Sequence, residues 1–124
     1  MAPEDDDNNE QYDEALNEVL AGLRGEYLKE LPERLSEMKG YFKNAREDQE
    51  KQLDWLEKAH VIAHRLAGTA GSYGFTDLSS AAANLDLYLK NLLKNEVKGG
   101  AAVNGLNWQA LDGMVEEMDK SVPT

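Results

Sequence analysis

Ala63-His64-Arg65-Leu66-Ala67-Gly68-Thr69-Ala70-Gly71-Ser72-Tyr73-Gly74 is the stretch on which the fold turns. Ala63, Leu66, Ala70 and Tyr73 recur at steps of three and four residues, and upstream Leu56 and Ala59 extend the same stripe. That spacing puts one apolar face on a helix, which Gly71 and Gly74 bring to an end. The stripe centres between Leu66 and Ala59. At about 100° per residue, His64 falls roughly 140° from that centre, Gly68 lies nearly opposite it and Gly71 lies close to His64. An outward helix face usually carries Lys, Glu or Gln; here it carries His64, Gly68 and Gly71, flanked by Ala67.

Helical stripes flank this one on both sides. Upstream, Leu16, Leu20, Leu23 and Tyr27 continue as Leu28, Leu31, Leu35, Met38 and Phe42. They predict a short helix over about residues 12–24 and a longer one over about 25–45, with a bend near Pro32, where a backbone donor is missing. The polar run Asn44 to Gln52 reads as a loop. Downstream, Thr76 is placed to cap a helix carrying Leu78, Ala82, Leu85, Leu89 and Leu92, which stops at Lys98-Gly99-Gly100. Asn107 caps a last stripe of Trp108, Leu111, Val115, Met118 and Val122. No stretch alternates with period two, so no strand is expected, and no internal repeat points to a solenoid. Four apolar stripes on short connections predict an all-α protein: an antiparallel four-helix bundle over residues 12–124 with a short additional N-terminal helix, after a disordered acidic tail over 1–11.

Composition narrows the function. The 124 residues suffice for one core. The net charge is −11; of 24 acids, seven lie in the first fourteen residues, leaving 17 against 13 bases. The acidity therefore sits largely in the N-terminal stretch, and a body at −4 suits nucleic acid poorly. No run of apolar residues is long enough to span a membrane, and Met1 to Glu14 has neither the positive charge nor the apolar centre of a signal peptide. The chain has no cysteine, which excludes disulfides and thiolate metal sites and fits a reducing cytoplasm.

Glycine within a helix costs about 1 kcal/mol relative to alanine. Close helix packing is the ordinary reason to accept that cost, but it fits poorly at Gly68, which faces away from the inferred core. The alternative is that another molecule must approach His64, and a bare backbone one turn away clears its path. Imidazole suits such an encounter, because near neutral pH it is a nucleophile.

The segment resembles the signature of histidine phosphotransfer (HPt) domains, His-x-Leu-x-Gly-x-Ala-x-x-x-Gly, through His64, Leu66, Gly68, Ala70 and Gly74; Leu78 and Leu85 also fit. The helical pattern is similar to the family over roughly residues 14–122. The resemblance implies a four-helix bundle whose exposed histidine, here His64, is phosphorylated on Nε2. It also implies that the partner is a receiver domain of a response regulator or of a hybrid sensor kinase, and that Gly68 lets it dock. Many members carry a lysine three residues after the histidine. This chain has Ala67 there, and the nearest base, Arg65, points to another side of the helix. In some members a polar residue on the next helix bonds the imidazole. An antiparallel hairpin turning near Gly74 to Thr76 brings Asp86 beside His64, where it can accept a bond from Nδ1–H. A carboxylate there also repels a phosphoryl group, and Asp86 reads equally well as a solvated helix residue.

His60 and His64 stand four residues apart, a spacing able to chelate zinc with Glu57 as a third ligand. His60-Val61-Ile62-Ala63-His64 lacks the glutamate of a metalloprotease helix, so the preferred reading leaves His60 flanking the docking surface. A helical interaction bundle or a metal-binding bundle using His60 and His64 is the alternative function. There is no phosphate-cradling loop or kinase signature. The expectation is a cytoplasmic, monomeric phosphocarrier with no metal or other cofactor of its own, with no nucleic-acid or membrane partner, and not an enzyme.

Overall fold

A computed structural model describes residues 3–94, 103 and 105–123, with side chains from Asp13 onward. It contains helices α1 (Pro3–Glu47), α2 (Gln52–Ser72), α3 (Thr76–Leu93) and α4 (Trp108–Lys120), plus a 3-10 turn at Gln49–Lys51. The described residues include no strand. The chain divides into two units, residues 1–32 and 33–124.

The first unit differs from the sequence reading. The two helices expected on either side of residue 24 are one, and Pro32 lies inside it without ending it. A proline forfeits one backbone bond, and the good helix formers on both sides outweigh that loss. Helical backbone also begins at Pro3 rather than near residue 12. Proline is well suited to a first turn, and acidic residues near a helix N-terminus oppose its dipole favourably. Leu16, Val19 and Leu23 of this unit are exposed.

The second unit is a bundle. From α1 it takes Leu35, Met38, Phe42 and Ala45; from α2, Leu53, Leu56, Ala59, Ile62, Ala63, Leu66 and Ala70; from α3, Leu78, Ala82, Leu85 and Leu89; from α4, Leu111 and Met118, all buried. The neighbouring segments run antiparallel. Gln52 reaches back to Ala45 and Trp55 stacks on Tyr41, with ring centres 6.0 Å apart. Lys39 meets Asp119 at 2.8 Å, while Arg46 meets Asp112 at 2.7 Å and lies over the Trp108 ring. Tyr88 Oη accepts a bond from the Asn107 backbone N–H at 3.0 Å, joining the end of α3 to the start of α4.

Two boundaries moved. The expected loop from Asn44 to Gln52 contracts around Asp48, whose side chain accepts the Lys51 N–H and caps the 3-10 turn. Gln52, read as a loop residue, is instead buried: its Nε2 donates to the Ala45 carbonyl and its Oε1 accepts from the Val103 N–H, both at 2.9 Å. Thr76 is not a cap. Phe75 holds that position without a side-chain bond, and its carbonyl accepts the Ser79 N–H. Asn107 caps α4 as expected, through the Ala110 N–H. The Lys98-Gly99-Gly100 stop signal lies outside the described residues.

Candidate histidine site on α2 and α3

The turn between α2 and α3 creates the site. Gly74 adopts φ +83°, which glycine tolerates without strain. This reverses the chain so that α3 returns along α2, with Ser79 beside Ala67 and Asp86 beside His60 and His64.

His64 projects from α2 with 72% of its side chain exposed. Its Nδ1 lies 3.1 Å from Oδ2 of Asp86, a side chain only 20% exposed. A carboxylate accepts and does not donate, so in the neutral ring the contact places the proton on Nδ1 and leaves the lone pair on Nε2. One turn earlier, His60 is half-buried, and its Nε2 lies 2.6 Å from Asp86 Oδ1. The two imidazole rings stand 6.2 Å apart, tilted by 46°. Asp86 is thus the carboxylate that meets both rings, the place the zinc alternative gave to Glu57. Among the described residues no group of three or more histidine or acidic side chains is arranged to hold a metal ion.

Gly68 lies one turn beyond His64. A Cβ added there would meet nothing within 4 Å, so the bare backbone serves no internal packing. Gly71 differs. It is solvent-exposed, yet a Cβ there would come 3.0 Å from Ser79 Oγ. That hydroxyl donates to the Ala67 carbonyl at 2.7 Å. Gly71 and Ala67 therefore belong to the seam between α2 and α3, not to the open face on which the sequence reading placed Gly71. Arg65 is exposed on α2, and its carbonyl accepts from Thr69 Oγ1 at 2.8 Å. The sequence reading missed Ser79 and the contact of His60 with Asp86. A small hydroxyl residue facing a helical glycine across a hairpin was the available signal for the first. For the second it was two histidines one turn apart with a single acid opposite.

No helix among the described residues is long and apolar enough to cross a membrane. A family model, the Hpt domain, matches residues 22–121 of the chain. No curated protein and no solved structure matches it significantly.

Proposed function

The chain belongs to the Hpt domain family, whose members are phosphocarriers that exchange phosphoryl groups with receiver domains in two-component signalling, and from that premise we propose that His64 is its phosphorylated residue. The observation that carries the assignment is the state of the His64 ring: exposed, with Nδ1 held by Asp86 and Nε2 left as the nucleophile.

The step follows from that geometry. A receiver aspartyl phosphate enters over Gly68, where no side chain stands in its way. The Nε2 lone pair attacks phosphorus as the bond from phosphorus to the aspartyl oxygen breaks, which frees the receiver carboxylate and forms the phosphohistidine. The Nδ1 proton stays on the ring, and the positive charge the ring acquires faces Asp86. A second receiver aspartate attacks the phosphorus from the opposite side and returns the electron pair to Nε2. The chain's own contribution is positioning, with reacting atoms brought within about 3–3.5 Å. The receiver supplies the greater part of the electrostatic stabilisation of the transferred group.

In this reading residues 12–124 work as a monomeric cytoplasmic intermediate in a multistep relay, between a hybrid-kinase or regulator receiver and a downstream one. His60 and Asp86 border the docking face, Gly68 opens it, and Arg65 supplies the nearest base. The test is to mix the protein with the phosphorylated receiver domains of the same cell. An acid-labile phosphoryl group should appear on His64, and His64→Gln should fold and accept none. Label on His60, or uptake by His64→Gln, overturns the assignment.

A further inference from the structure

We propose that His60 is a positioning residue that acts on His64 through Asp86, setting the tautomer of the phosphoacceptor ring. The inference rests on the reading of His64 as that acceptor and adds a residue to it.

His60 Nε2 and Asp86 Oδ1 are both shielded from solvent, and neither makes a hydrogen bond of good angle, to the other or to any group among the described residues. They lie 2.6 Å apart. The approach is off the ideal hydrogen-bond angle, yet an imidazole lone pair and a carboxylate lone pair repel at that distance. The proton must therefore sit on His60 Nε2, the one donor that can satisfy the buried oxygen. Two imidazoles, one turn apart on α2, thus grip the two oxygens of one carboxylate on α3.

The grip has two consequences for His64. An aspartate side chain held at one oxygen only is free to rotate. With Oδ1 fixed by His60, Oδ2 stays facing His64 Nδ1 at 3.1 Å. An unrestrained histidine side chain in water favours the proton on Nε2, the tautomer whose Nε2 has no lone pair with which to attack phosphorus. The bond to Oδ2 reverses that preference. The N–H that His60 donates also draws on the Asp86 charge and lowers the repulsion between this carboxylate and an incoming phosphoryl group. That removes the objection to an acid beside a phosphoacceptor. The partner that compensates it is built into the same helix as the acceptor.

The experiment reads tautomers directly, without any phosphotransfer. In protein with nitrogen-15-labelled histidines, two-bond proton–nitrogen spectra distinguish Nδ1–H from Nε2–H rings. The intact chain should show His64 protonated on Nδ1 and His60 on Nε2. His60→Gln keeps a donor close to the place of Nε2 and should preserve the His64 tautomer. His60→Phe removes the donor, so the His64 spectrum should move towards Nε2–H. Its transfer rate should fall by roughly two- to tenfold, the bias that one ordinary hydrogen bond carries. Asp86→Asn is a second variant, should His60→Phe melt early; it should disturb the signals of both histidines. An unchanged His64 tautomer in folded His60→Phe overturns the proposal, as does an Asp86→Asn spectrum that changes at His64 alone. If the tautomers couple as stated but no receiver phosphorylates the intact chain, the coupling stands and the phosphoacceptor reading fails.

Discussion

Two glycines three residues apart on α2 should respond to substitution in opposite ways. At Gly68 a Cβ meets nothing within 4 Å, so Gly68→Ala adds no clash and recovers the helix propensity that glycine forfeits, about 1 kcal/mol. For a domain of this size that corresponds to a rise in Tm of roughly 3–5 °C. Gly68→Gln should gain somewhat less, about 0.5–1 kcal/mol, while placing an amide across the path to His64. At Gly71 the same Cβ comes 3.0 Å from Ser79 Oγ. Relief requires that hydroxyl to turn away from the Ala67 carbonyl, to which it donates at 2.7 Å. A hydrogen bond of this kind contributes about 0.5–1.5 kcal/mol, so its loss cancels the propensity gain or exceeds it. Gly71→Ala should therefore melt at the same temperature or lower. Thermal unfolding followed by circular dichroism, beside a phosphotransfer time course, tests both sites. Gly68→Gln should be at least as stable as the parent and transfer far more slowly. A lowered Tm for Gly68→Ala would refute the claim that this backbone is open. A raised Tm with normal transfer in Gly68→Gln would refute the claim that the opening serves a partner.

Gln52→Leu should destabilise by about 2–4 kcal/mol in chemical denaturation, because it strands the Val103 N–H and the Ala45 carbonyl, which the buried Gln52 now satisfies; a loss below about 1 kcal/mol would mean that water replaces the amide. Melting curves in chelator and in added zinc should coincide, since a ligand that binds only the folded state raises Tm by mass action. A zinc-dependent rise abolished by both His60→Ala and His64→Ala would instead favour the metal-binding alternative. Removing residues 1–9 should leave the melting of the bundle within error, because no described side chain before Leu31 is buried; a marked drop would show that these residues are held against it.

The all-helical class, the stripes of α2, α3 and α4 and the outward placement of His64 and Gly68 were legible in the sequence. Each depends only on local periodicity: a residue's angle around its own helix follows from its position in the chain. The family signature is equally local, spanning His64 to Gly74. Continuity was harder to read. Gly25 and Pro32 are helix-breaking residues, yet α1 runs through both, because a propensity penalty is a weak prior that the surrounding chain can override. Residues that act across space could not be read from spacing at all. Gly68 and Gly71 look alike as helical glycines, and only the position of Ser79 on α3 separates an open backbone from a close seam. Gln52 belongs to a polar run, and only folding brings Val103 to its amide. The sequence allowed Asp86 to approach His64 but left it equally readable as a solvated acid. Only the register of α3 against α2, set by the turn at Gly74 and the packing of Leu78, Ala82, Leu85 and Leu89, brings one carboxylate within reach of both His60 and His64. Periodicity within one helix says which way a side chain faces, but what it meets there depends on the helix packed beside it.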